Sequence, residues 1–177
     1  MNTHAAPEGS PAPAADSPHM RVLTQYVKEL SFRNPGAATV QAYDVQPTID
    51  MGVEVKSRSM GERNDAFEVD LCVNVTAKRT DDLMFSVSLV YSGVFQFMNI
   101  LPEDIEPLIW VECPRLLFPF GRQILAEITR EGGYPPLLIN PIDFTPLYWA
   151  ELRERQARGA EPLSGATEPL RNQAGGF

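Results

Sequence analysis

The folded part of this sequence reads as lacking histidine. His4 and His19 are the only two in 177 residues, and both fall in an amino-terminal stretch read below as a leader. A histidine triad or histidine general base is thereby excluded from the body. Cysteine is nearly as scarce. Cys72 and Cys113 make no disulfide framework, and without nearby histidines they cannot complete a four-ligand zinc site. Two free thiols fit a reducing compartment, and each reads first as a small buried hydrophobe. There is no HExxH, no Walker A loop and no GxGxxG after a strand. No apolar run is long enough to span a bilayer, and residues 1–19 hold no apolar core of signal-peptide length. Positive charge is also short: 15 Lys and Arg against 23 Asp and Glu leave a net charge of −8. That balance disfavours binding to nucleic-acid phosphates and suits a basic protein partner. The absences set the expectation of a soluble cytoplasmic protein that is not an enzyme, with no cofactor or metal site expected.

What is present is a clear change of hydrophobic period along the chain. Residues 1–19, rich in Ala, Pro, Gly and Ser, are expected to form a disordered leader. Residues 159–177 are expected to form a flexible tail, which leaves one domain over 20–158. Ile49, Met51, Val53 and Val55 alternate with polar neighbours over 49–56. So do Phe67, Val69, Leu71, Val73, Val75 and Ala77 over 67–78, and Leu83, Phe85, Val87, Leu89 and Tyr91 over 83–91. Period two predicts strands with one buried and one wet face, and the short links between them require antiparallel hairpins. Residues 21–33 fit both a helical stripe and a strand. Their β-branched and aromatic content favours a strand, with Leu30 and Phe32 inward and Glu29, Ser31 and Arg33 outward. Asn34-Pro35-Gly36 ends it with turn chemistry.

After residue 101 the period becomes helical. Pro102–Glu112 predicts a short helix with proline near its start. Residues 114–131 predict a longer one, carrying Leu117, Phe120, Ile124 and Ile128 at helical spacing, with Leu116 and Leu125 widening the stripe. Gly132-Gly133 stops it, and Asp143 or Thr145 caps a following helix. Strands first and helices second give an α+β fold class, with the helices covering one face of the sheet. A helix that is apolar on more than one face points to a subunit interface. Tyr134, Phe144, Tyr148 and Trp149 gather near prolines, where they serve either as core or as the lining of a groove for extended chain. The acid-only run Glu103, Asp104, Glu106 and Glu112 reads most simply as a solvated helix face, and Asp81-Asp82 as a solvated hairpin turn.

Several segments carry a resemblance. They are Tyr26-Val27-Lys28-Glu29-Leu30-Ser31-Phe32, Asn34-Pro35-Gly36, Val73 to Ala77 and Gly93-Val94-Phe95. To these are added Glu112-Cys113-Pro114-Arg115-Leu116-Leu117-Phe118-Pro119-Phe120-Gly121-Arg122, Tyr134-Pro135-Pro136-Leu137 and Pro141-Ile142-Asp143-Phe144. Together, over about 21–155, they resemble the SecB family of bacterial protein-export chaperones. The resemblance implies a chaperone that binds unfolded precursor proteins and delivers them to the motor SecA. It implies an α+β fold, a four-stranded antiparallel sheet with two main C-terminal helices packed on one face, and a homotetramer, a dimer of dimers, with the 114–131 helix central to assembly. On this basis the oligomer interface is expected at Val87, Leu89, Leu117, Phe120, Ile124 and Ile128. The client groove is expected at Tyr43, Ile49, Met51, Tyr134, Phe144 and Tyr148. Motor contact is expected at Glu29, Arg33, Ser86 and Ser88, where Arg33 and Ser88 replace residues usually acidic in the family. Val45 holds the family's aromatic position in the 37–48 connection, with Tyr43 two residues earlier. Two further readings of the residues are a small-molecule-binding α+β module and a purely structural oligomer subunit.

Overall fold

The structure, a computed structural model, describes residues 17–38, 47–61, 65–158 and 170–174. Four long strands follow one another: β1 (His19–Arg33), β2 (Thr48–Met60), β3 (Ala66–Arg79) and β4 (Asp82–Met98). α1 (Pro102–Pro107) runs through a π-helical turn, Leu108–Glu112, into α2 (Cys113–Glu131), and α3 (Phe144–Arg158) follows. A short β5 (Leu170–Ala174) completes one antiparallel sheet in the order β1-β4-β3-β2-β5. The expected α+β plan is present, with this fifth strand added from the segment read as a flexible tail. Most of that tail and residues 1–16 of the leader lie outside the described residues. His19, also assigned to the leader, opens β1, its Nδ1 2.8 Å from the Ser17 carbonyl oxygen.

The alternation works as the pleat requires. Odd positions of β2, β3 and β4 face the helices: Val53, Val55, Val69, Leu71, Val73, Val75, Val87, Leu89 and Phe95 are all buried. β3 and β4 are joined by Thr80-Asp81, a two-residue turn in which Thr80 takes φ 51°. Such turns need positive φ to match strand twist.

The helical segment is shaped by proline. Pro107 and Pro114 bracket the π-helical turn, where the Cys113 N–H donates to the Leu108 carbonyl, one residue further back than in an α-helix. α2 then presents Cys113, Pro114, Leu117, Phe118, Gly121, Leu125 and Thr129 to the core. This row differs from the expected stripe. Phe120 is exposed, and Ile124 and Ile128 are only half-buried. Apolar residues on two sides of one helix make the inward side ambiguous in sequence, and Gly121, which lets the helix approach Leu71 and Leu89, carries no hydrophobic signal.

Candidate functional site

Two glycine-bearing turns, 100 residues apart, meet and close one end of the fold. Asn34 Nδ2 donates to the Gly132 carbonyl at 2.8 Å, and the Gly36 N–H donates to the Met84 carbonyl at 3.1 Å. The Tyr134 hydroxyl lies 2.9 Å from Asn34 Oδ1 and 3.1 Å from the Met84 carbonyl oxygen, so one proton serves two acceptors. Gly133 takes φ 87°, which glycine adopts without steric cost. Thr129, fully buried, donates to helix carbonyls of α2 and accepts the Leu137 N–H at 3.0 Å, tying the following loop to α2. This clamp fixes Tyr134 against Phe85, with ring centroids 4.8 Å apart.

The expected client groove is therefore largely interior. Met51, Tyr134, Phe144 and Tyr148 are buried in the core of the single chain, and only Ile49 is half-buried. Phe144 is held edge-on against Phe118 at 6.2 Å, after an Asp143 cap in which Oδ1 accepts the Thr145 N–H at 3.0 Å. That bond draws the Asp143 carboxyl below its usual range. Tyr43 lies outside the described residues, as does Val45. The aromatics at 134–148 are consumed by packing because the loop is pinned by Thr129 and Asn34.

Of the expected oligomer residues, Val87, Leu89 and Leu117 are also interior to the one chain, where they seat α2 on the sheet. Phe120, Ile124 and Ile128 remain at or near the surface. Phe120 stacks on Tyr91 at 6.1 Å and, with Gln123, Ile124 and Glu127, lines a shallow groove of about 280 Å³. The strand analysis missed a matching row on β1. Val22, Val27 and Leu30 pair in register with Phe95, Tyr91 and Leu89, on the helix-facing side of the sheet, yet are 42%, 45% and 41% exposed. β1 is an edge strand that α2 does not cover. The signal was its mixed helical and strand pattern, which arises from two bulges, at Leu23 and Lys28.

The four expected motor-contact positions share the outer face of β1 and β4. Arg33 pairs in register with Ser86, Ser31 with Ser88, and Glu29 with Val90. Glu29 and Arg33 are exposed. Next to them lies a network with no sequence signal beyond a wet-face position. Glu68, 5% exposed, accepts from the Tyr26 hydroxyl, from Lys28 Nζ at 3.0 Å and from Arg58 at 2.7 Å. Lys28 also reaches Asp70 at 2.8 Å, and Ser92 Oγ donates to the other Asp70 oxygen at 2.7 Å. Burial alone would push the Glu68 carboxyl up; the hydrogen bonds from Tyr26, Lys28 and Arg58 together outweigh it and hold the carboxyl at about 2.

Neither thiol is poised for chemistry. Burial pushes Cys72 up to about 11 and Cys113 further still. Among the described residues no group of His, Cys, Asp and Glu could hold a metal ion, and no helix is long and apolar enough to cross a membrane.

This two-layer α+β chain leaves apolar side chains exposed on the edge strand β1 and on the adjacent α2, surface of the class that marks contact with other molecules. Comparison with known proteins makes the class specific. The family model described as preprotein translocase subunit SecB matches residues 13–155. The protein-export protein SecB of Hyphomonas neptunium is 45% identical over 168 residues, covering 93% of this chain and 99% of that protein. That of Maricaulis maris is 48% identical, over 81% of this chain and 83% of its own length. Among solved structures, a SecB-like chaperone of Mycobacterium tuberculosis, in complex with a peptide from an antitoxin, superposes with a TM-score of 0.56. It shares 12% identity and covers 70% of this chain and 88% of its own. The chain belongs to the SecB family, and is a chaperone of protein export rather than a small-molecule-binding module.

Proposed function

We propose that this protein holds unfolded precursor proteins in the cytoplasm as a homotetramer, a dimer of dimers, and passes them to SecA. The observation that carries the reading is the row of large apolar side chains left at the surface of β1 and α2: Val22, Val27, Leu30, Leu116 and Phe120. Burying each such side chain is worth roughly 1.5–3 kcal/mol, so a single chain leaves much stabilisation unused and assembly collects it. Among the described residues β1 has no second partner strand, so its outer edge offers backbone groups that another copy can pair with. The mycobacterial SecB-like chaperone carries a bound peptide, which supports polypeptide as the client here. In this reading Tyr43 and Ile49 contribute to client binding, and Met51, Tyr134, Phe144 and Tyr148 support that side of the fold from the core. Trp149, 54% exposed beside Tyr148, extends it outward. The outer positions Glu29, Arg33, Ser86 and Ser88 face the motor.

Native mass spectrometry tests the reading. The protein alone should appear at four times the chain mass, and addition of a urea-unfolded precursor should add one precursor mass to that species. A monomer at micromolar concentration, or a tetramer that never gains precursor, contradicts it.

A further inference from the structure

The clamp that closes one end of the fold lies between the positions proposed for the two partners. Arg33, on the outer face opposite Ser86, is followed directly by Asn34. The Asn34 side chain spans two groups beyond the sheet, the Gly132 carbonyl oxygen at 2.8 Å and the Tyr134 hydroxyl at 2.9 Å. That hydroxyl also reaches the carbonyl oxygen of Met84, two residues before Ser86, at 3.1 Å, and the Gly36 N–H donates to the same oxygen at 3.1 Å. Tyr134 in turn opens the irregular segment 134–143, which leads into Phe144 and Tyr148. One face of α2 holds this segment along its length. Thr129 accepts the Leu137 N–H at 3.0 Å, Arg122 donates to the Ile139 carbonyl at 3.4 Å, and Arg115 lies 3.9 Å from Asp143. The three recur every seven residues, a spacing that keeps them on one side of a helix.

Two features make the clamp a link as well as a corner. The end of α2 is pressed against the end of β1: a Cβ at Gly132 would lie 2.6 Å from the Phe32 ring. No slack is left there to absorb a shift of β1, and close-packed contacts pass a displacement on. The bonds themselves are between neutral groups, each of modest net strength, and one hydroxyl proton is shared between two acceptors. The hydroxyl can therefore let go while the Tyr134 ring stays beside Phe85, 4.8 Å between centroids.

We propose that Asn34 and Tyr134 are positioning residues for handover. Docking on the Arg33–Ser86 end of the outer face shifts the Asn34 turn, opens the bonds of the Tyr134 hydroxyl and frees segment 134–143, which loosens the client. The inference rests on the chaperone reading above and adds to it a link between the motor's site and the client's. Such a link is reciprocal, so a bound client weakens the hold on the motor by the same factor.

The test uses the full-length protein, with reduced, carboxymethylated lactalbumin as a permanently unfolded probe. Probe affinity is measured without SecA and with SecA at saturation, and the ratio is the coupling factor, so each variant supplies its own reference. Wild type should give a factor of about five or more. Tyr134→Phe keeps the ring and removes the hydroxyl, and should bring the factor to about one. Asn34→Ala should do the same, and the double variant should go no further than either single change. Asn34→Asp keeps an acceptor for the hydroxyl and loses the donor to Gly132, and should lie closer to wild type than Asn34→Ala. A clamp that only supports the fold would lower the melting temperature of Tyr134→Phe and leave its factor at the wild-type value, which overturns the proposal. A wild type that binds both partners without coupling overturns it too, and leaves the chaperone reading standing. A wild type that binds no unfolded probe overturns both.

Discussion

Glu68 is the residue whose environment departs furthest from its place in the pattern. It sits on the wet face of β3 yet is buried, and three donors converge on it: Tyr26, Lys28 and Arg58. Its folded pKa of about 2 lies below the ordinary value of 4.5. The folded state therefore binds fewer protons at this site than the unfolded one. The stabilisation is fully present above pH 4.5 and is lost as pH falls toward 2. Glu68→Gln replaces a carboxylate oxygen with an amide donor facing two cations. Urea unfolding at pH 7 should show a loss of roughly 1–3 kcal/mol. The gap between variant and wild type should narrow steadily between pH 4.5 and the lowest pH at which both still fold. A gap independent of pH would mean that the ionisation of Glu68 contributes nothing to stability.

At the scale of elements, two glycines face the same helix–sheet contact with opposite requirements. A Cβ at Gly93, on β4, would lie 2.8 Å from the Phe95 ring and 2.9 Å from Leu117. One at Gly121, on α2, would meet Leu71 and Leu89 at 3.7 Å, an ordinary contact. Gly121→Ala should stabilise the protein by roughly 0.5–1 kcal/mol, since alanine is the better helix former and the space exists. Gly93→Ala should lower the melting temperature, because β4 or α2 must shift. Thermal melts of the pair settle both signs.

The outer face of β1 allows a second comparison of this kind. Glu29→Ala should weaken binding to SecA, and Arg33→Glu should strengthen it, both more at low salt than at high salt, with stability nearly unchanged because both side chains are exposed. Calorimetric titration at two ionic strengths reads the difference. Arg33→Glu binding no tighter than wild type at low salt would remove this face from the motor contact.

How much of these elements was legible follows from the same physics. β2, β3 and β4 were readable because each strand separates an apolar face from a wet one, and period two reports that directly. β4 runs seven residues beyond the segment 83–91, to Met98, where Phe95 and Phe97 continue its buried row. β1 was ambiguous because bulges at Leu23 and Lys28 break its period. The inward row of α2 was not singled out because Phe120 and Ile124 are as apolar as Leu117 and Leu125. β5 gave no pattern at all. Of the candidate site, the surface positions Glu29, Arg33 and Phe120 were accessible to sequence reasoning. The burial of Tyr134, Phe144 and Tyr148 was not, since it depends on Thr129 and Asn34 pinning a loop from distant positions in the chain.

At the scale of the whole molecule, a net charge of −8 makes copies of the chain repel one another in general, and the proposed assembly forms where apolar side chains of β1 and α2 are exposed. Ile124 lies on that surface beside Phe120. Ile124→Asp would place a charge where the proposed assembly removes water, a cost far above that of an exposed polar group. Light scattering should show the tetramer falling to dimers or monomers while the circular dichroism of the sheet is retained. An unchanged tetramer would move the interface away from α2. The central claim is that the assembled protein binds unfolded precursor chains faster than they fold. It is tested most directly by diluting a urea-unfolded precursor into buffer with one tetramer per precursor chain and following the precursor's refolding. The account predicts that refolding is arrested, and that precursor folded before the chaperone is added is left unbound. Refolding at the same rate and to the same yield with and without the protein would contradict it.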